Sequence, residues 1–149
     1  MARSLLKQEE IEHILSELKK SLVDVISFPE IGKSEDFLVK AISNDDEFTI
    51  HIYRGKVNRI KYNIGAIIEN YGIPIMELHI GAGNRHTNPD GTIINGNHWH
   101  LYSEAYGREW AFPADDIESD KFVDNTVLFL DKFNVLEKPT VYCQLEASL

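Results

Sequence analysis

The feature that most narrows the fold of this chain is a change of hydrophobic period. From about Lys7 to Leu22, the apolar residues Ile11, Ile14, Leu15, Leu18 and Leu22 recur every three or four positions, which predicts an amphipathic helix. From Asp36 the period shortens to two. Phe37–Ile42 and Phe48–Tyr53 read as strands, the second with Phe48, Ile50 and Ile52 on one face and Thr49, His51 and Tyr53 on the other. Gly55 marks a tight turn into a third run, Val57 to Tyr62. Asn63 to Pro74 fits neither period: Ile64, Ile67 and Ile68 suit a short helix, whereas Gly65 and Gly72 argue for irregular backbone. Ile75–Ile80 alternates again, with Met76, Leu78 and Ile80 opposite Glu77 and His79. A long polar connection, Gly81 to Asn97, leads to two further strands, His98–Tyr102 and Glu109–Phe112. Helical spacing returns between Ile117 and Phe133, and Val141–Leu145 reads as a last strand.

The expected architecture is therefore α+β, an antiparallel sheet of about five to seven strands packed against an N-terminal and a C-terminal helix. No repeat or linker divides residues 1–149, so a single domain is expected. One cysteine, Cys143, excludes an internal disulfide and, lying in an apolar run, reads as an inert buried thiol. No apolar run approaches the roughly 20 residues of a membrane helix, and the start of the chain turns acidic before a signal-peptide core forms. A cytoplasmic protein without a membrane partner is the expectation. Twenty-four acidic against fifteen basic residues give a net charge of −9, which opposes nucleic-acid binding except where bases concentrate. Arg54, Lys56, Arg59 and Lys61 form the one basic ribbon, more simply read as solvated strand surface than as a phosphate track.

Four of the six histidines, His79, His86, His98 and His100, fall within 22 residues around the long connection. Alternation places His98, His100 and Tyr102 on one strand face, joined by Glu104 if the strand continues. If 75–80 pairs antiparallel with 98–103 through the apolar set Met76, Leu78, Ile80, Trp99 and Leu101, then Glu77 and His79 share the opposite face with His98 and His100. The loop carrying Arg85, His86, Asn88 and Asp90 would roof that surface.

Three uses suit it. In the preferred one, two imidazoles divide metal-independent acid–base work on a nucleotide or other phosphorylated ligand, RNA included. His98 and His100 are then the acid–base pair, His79 or His86 their support, Arg85 the anion anchor, and Tyr102, Glu104, Asn88 and Asp90 the surrounding ligand-binding groups. This reading needs no cofactor. In the second, His98, His100 and Glu104 hold a metal, a partial match to the first cupin motif whose glycines and second half are missing. In the third, the polar groups only complete hydrogen-bond networks, and Asn88-Pro89-Asp90-Gly91 is a turn. The Gly-x-Ser-x-Gly elbow, the phosphate-cradling glycine loop and the dinucleotide fingerprint are all absent, which removes the common hydrolase and nucleotide-cofactor classes.

The segment Glu77-Leu78-His79-Ile80, Arg85 to Gly91, Asn97 to Tyr102, Tyr106-Gly107 and Trp110 to Pro113 resembles an uncharacterised domain-of-unknown-function family of small bacterial and phage-associated proteins. The opening Gln8-Glu9-Glu10 and the Phe28-Pro29 turn resemble it more loosely, and the tail beyond Pro113 looks particular to this chain. The resemblance implies that the histidines and the Asn-Pro-Asp-Gly turn form one shared feature, and it brings no activity with it. A link with mobile elements would suit a non-enzymatic inhibitor or adaptor, whose acids, such as Asp45, Asp46, Glu47, Asp115 and Asp116, occupy a host protein's basic site.

Overall fold

The computed structural model describes residues 6–58 and 60–144. Helix α1 (Gln8–Ser16) comes first, its start closed by the Lys7 N–H donating to Glu10 Oε1 at 3.0 Å. Short strands β1 (Lys19–Ser21) and β2 (Val25–Ser27) lead into the long antiparallel meander β3 (Ser34–Ala41), β4 (Glu47–Arg54), β5 (Tyr62–Ile68) and β6 (Ile73–Ile80). A hairpin, β7 (Arg85–Thr87) and β8 (Ile93–Asn95), interrupts the long connection before β9 (His98–Leu101) and β10 (Ala111–Pro113). Helix α2 (Phe122–Lys132), β11 (Val135–Glu137) and β12 (Thr140–Tyr142) complete the order.

Eight strands form one mixed sheet in the order β10-β9-β6-β5-β4-β3-β1-β11, in which only β1 and β11 run parallel. This exceeds the expected five to seven and is not wholly antiparallel. Two of the eight are unexpected: β1 comes from residues that the sequence assigns to the first helix, and β11 from residues it leaves unassigned. Helix α1 ends at Ser16 because the next residues find better partners as a strand: Lys19 pairs with Ala41, Ser21 with Val39, and the Ile42 N–H donates to Leu18 O. Leu18 and Leu22, which continue the helical period, end 52% and 45% exposed. A nine-residue helix has little intrinsic stability to set against such pairing.

The other departures lie between β4 and β6. The Gly55 turn widens to span residues 55–61, with Val57 fully exposed, so the third strand begins at Tyr62 rather than Val57. Asn63–Pro74, which has no assignment in the sequence, holds most of β5, a turn closed by Gly72 at φ 66°, and the start of β6. Its alternation is Tyr62, Ile64, Ala66 and Ile68 against the core, and Gly65 in the middle of the other face hides the pattern. Helix α2 is shorter than 117–133: it begins at Phe122, with Asp124 in its first turn. Strand β12 pairs with β2 in a separate two-stranded sheet, and Leu145 lies outside the described residues. Cys143 follows β12 and is half-buried rather than buried. No described helix is long and apolar enough to cross a membrane.

Both helices cover the same face of the sheet. Ile11 of α1 and Phe129 and Leu130 of α2, with Phe133 just beyond it, are fully buried in one cluster with Val39, Phe48, Ile50, Ile52, Ile64 and Leu78. The Phe133 ring meets Phe48 edge-on at 5.2 Å, and Trp99 stacks on Phe129 at 6.1 Å. Arg54, the first residue of the supposed basic ribbon, is buried with its guanidinium 4.5 Å from the Phe122 ring; Arg59 lies outside the described residues. The face of the sheet away from the helices carries Thr49, His51, Asn63, Glu77 and His79, with Leu38 and Ile67 as apolar members.

Lys19 is fully buried where β1 meets the end of α2. Its ammonium donates to Glu17 O and Phe133 O, both at 2.8 Å, and lies 4.0 Å from the Phe133 ring. Burial pushes its pKa down to about 8, against a smaller opposing pull from Glu17. The unfolded chain therefore holds this proton more tightly than the folded one, so stability rises with pH from about 8 toward the unfolded value of 10.5. Urea midpoints should increase between pH 8 and 9.5 in the wild type, and Lys19→Met should lose that slope. An equal slope in both proteins would remove Lys19 as its source.

Candidate functional site

The site is built on the polar face by the pairing of β6 with β9. Glu77 stands opposite His100 and His79 opposite His98, while Met76 and Leu78 face Leu101 and Trp99. This is the register that the apolar sets of the two segments imply. Because side chains alternate across a strand, burying Leu78 and Trp99 against the helices sends the two histidine positions of β9 and His79 of β6 to the same opposite face. The three rings gather there, with centroids 5.1 Å apart for His79–His98, 4.8 Å for His79–His100 and 5.0 Å for His98–His100. One ring nitrogen from each of the three lies within 4.8 Å of the other two.

The hairpin β7–β8 brings the fourth histidine over them. His86 lies 4.7 Å from His100 and 5.7 Å from His98, centroid to centroid. Each imidazole has one nitrogen fixed. His98 Nδ1 donates to Gly96 O at 2.9 Å, His100 Nδ1 to Arg108 O at 2.7 Å and His86 Nε2 to Glu109 O at 2.7 Å. A carbonyl can only accept, so these contacts set the tautomers and leave a lone pair on the other nitrogen of each ring. His79 Nε2 lies 3.3 Å from Glu77 Oε1, the arrangement in which a carboxylate orients an imidazole.

Electrostatics favour the neutral form of His98 and His100 and the charged form of Glu77. Burial, followed by the charge of the neighbouring His79, pushes His100 down to about 4, against the opposing effects of the Arg108 carbonyl and Glu77. Burial also lowers His98. Burial alone would raise Glu77, but the His79 hydrogen bond and the charge of Arg108, 2.7 Å away, outweigh it and hold the carboxyl below its ordinary range. Glu77 Oε2 is buried and has no hydrogen-bond partner among the described residues. The hollow between rings and hairpin has a volume of about 270 Å³ and is bordered by Asn84, Arg85, Arg108 and Glu109 in addition to the four histidines.

The structure thus brings together His79, His86, His98, His100 and Arg85 and leaves the other sequence candidates outside the hollow. Glu104 does not continue the strand: the chain turns back through the Ser103–Gly107 bridge, and Glu104 Oε1 accepts from the Gln8 N–H of α1 at 2.8 Å. It therefore departs from the His98–His100–Glu104 ligand set. Tyr102 packs against the apolar cluster. The Asn88 amide donates to Ala111 O at 3.0 Å and accepts from Ala111 N–H at 2.8 Å, extending the free edge of β10 by one residue. Asp90 Oδ1 accepts from the Thr92 N–H at 3.0 Å, an Asx turn whose hydrogen bonds hold the carboxyl below its ordinary range. Four site residues are absent from the candidates read in sequence: Glu77, Asn84, Arg108 and Glu109. Glu77 was legible as a face-mate of His79, whereas Arg108 carries no local signal, because only the tight turn at Gly107 returns it to β6.

Comparison with known proteins adds one finding. A model of a family of unknown function (DUF6978) matches residues 6–135. The chain belongs to that family. The match runs through α2 to Val135, so the residues from Pro113 to there are not particular to this chain, contrary to the sequence expectation. No curated protein and no solved structure matches it.

The Asn88 contacts predict a structural role in this DUF6978 member. Asn88→Ala should lower unfolding stability by about 2–3 kcal/mol, since it removes two hydrogen bonds and strands the buried main chain of Ala111. Asp90→Ala, at an exposed turn, should cost well under half of that. Chemical denaturation of both variants is the check, and equal losses would contradict the assignment.

Proposed function

We propose that this protein binds one divalent transition-metal ion through His79, His98 and His100, and that the ion serves Lewis-acid or hydrolytic chemistry on a small ligand. The observation that carries the reading is the joint geometry of the three rings: one ligand nitrogen from each lies within 4.8 Å of the others, and one nitrogen of each ring is held by a carbonyl or carboxylate. Around a tetrahedral zinc with bonds of about 2.1 Å, ligand nitrogens are about 3.4 Å apart, which small ring movements reach from here. Histidines that ligate metals commonly donate their other N–H to a carbonyl or carboxylate, and such partners are present for all three. Glu77 Oε2, buried with no hydrogen-bond partner among the described residues, leaves an unsatisfied acceptor beside the rings. Three imidazoles suit zinc, copper, iron or nickel rather than calcium or magnesium. Three protein ligands also leave a coordination position for water or substrate, the pattern of catalytic rather than structural sites.

Metal-independent acid–base catalysis, the preference of the sequence reading, is less well supported by the same groups. Its proposed pair, His98 and His100, are both shifted toward the neutral form, and each spends Nδ1 on a main-chain carbonyl. Neither is then a ready proton donor near neutral pH. The inhibitor reading rests on net charge, acidic clusters and the implied link with mobile elements, and no described feature of the polar face favours it.

Protein purified without a histidine tag and incubated with zinc or cobalt, then desalted, should retain one equivalent by elemental analysis. His79→Ala, His98→Ala and His100→Ala should each lose most of it, whereas His86→Ala should keep it. Retention of no metal by the wild type, or equal retention by all the variants, would refute the proposal.

A further inference from the structure

We propose that the open side of this centre takes a small oxyanion, the phosphoryl or carboxylate end of a substrate, with one oxygen on the metal and the others on the Arg85 guanidinium. The inference rests on the metal reading above and names the ligand class of that same site.

Three features point to an anion. The protein ligands would be neutral imidazoles, so the ion would keep its whole positive charge, and a fourth ligand bearing negative charge would be favoured over a neutral one. Glu77 supplies no spare compensation because its charge is already matched by Arg108 at 2.7 Å. Arg85 borders the hollow, is exposed, and has no carboxylate at ion-pair distance among the described residues, although the chain as a whole carries an excess of nine acids. A guanidinium held in that position offers a planar fork of N–H donors matched to two oxygens of a phosphate or carboxylate. The acidic residue among those bordering the hollow is Glu109, whose main-chain carbonyl is engaged by His86. With a divalent ion and Arg85 against that one carboxylate, the mouth is net positive.

Volume limits what enters. About 270 Å³ lies below the roughly 300–1,000 Å³ of pockets that engulf a drug-sized ligand, so the hollow admits the charged end of a molecule and leaves its remainder outside. Arg85 precedes His86 on the hairpin strand β7, and both residues border the hollow.

The test uses full-length protein loaded with one equivalent of cobalt, whose visible absorption reports changes in its ligands, titrated separately with inorganic phosphate and with acetate. At least one anion should perturb the spectrum saturably in the wild type. Arg85→Ala should retain its cobalt and weaken that anion at least tenfold, with Arg85→Lys falling between. Phosphate responding alone assigns the phosphoryl group, acetate alone the carboxylate, and both the shared oxyanion chemistry; each outcome supports the proposal. Loaded protein that responds to neither anion, or Arg85→Ala that binds as tightly as the wild type, overturns the oxyanion assignment while the metal site stands. Protein that retains no cobalt overturns the metal reading itself, and the two failures are therefore distinguishable.

Discussion

The antiparallel register of β6 against β9 is the constraint on which the candidate site depends. His79 opposes His98 and Glu77 opposes His100 only because Leu78 and Trp99 are held toward the helices. A slip of β9 by one residue would turn His98 and His100 into the core and bring Trp99 out to the polar face, while β5 kept His79 in place. The apolar packing that stabilises the sheet and the arrangement of the polar cluster are therefore two sides of one pairing. Trp99 stacking on Phe129 connects that register to α2, so the second helix helps to aim residues on the far side of the sheet without touching them.

Placing a carboxylate and three imidazoles close together under partial cover is costly unless each finds a partner. Here the partners are mostly main-chain carbonyls at places where the chain turns: Gly96 before β9, and Arg108 and Glu109 before β10. Side-chain compensation is limited to Glu77 with Arg108 and His79. Neutral rings held by carbonyls cost less than charged ones at this depth, and they present lone pairs rather than protons to the hollow. That difference favours the proposed ligand cluster over an acid–base pair.

How much of this is legible in the sequence follows from which interactions are local. Strict alternation in Phe48–Tyr53 and Ile75–Ile80 yields strands with the correct faces, and two such patterns are enough to pair Met76 and Leu78 with Leu101 and Trp99. Long-range choices are not written this way. Leu18 and Leu22 satisfy a helical period that β3 overrides by offering a sheet edge to Lys19–Ser21. Glu104 satisfies strand alternation that a turn at Ser103–Gly107 ends, sending it to Gln8. Gly65 disguises β5 because a residue without a side chain adds nothing to the pattern on its face. Arg108 becomes part of the site only by a chain reversal no spacing announces.

The Asn-Pro-Asp-Gly turn shows how a segment can matter to a site without lining it. None of residues 88–91 borders the hollow. Asn88 instead fastens the hairpin to Ala111, and His86 on the same hairpin fastens to Glu109 O two residues earlier. Ala111 is paired with His100 across β9–β10, so the hairpin is tied to the strand beside the histidines it covers. Ile94 is the one residue of the two hairpin strands that is buried, which leaves directional hydrogen bonds rather than apolar packing to set the height of this roof. Position of the mouth, and of Arg85 within it, is accordingly determined by amide geometry at Asn88. A residue type chosen for a turn thereby shapes the chemistry of a cavity it never enters.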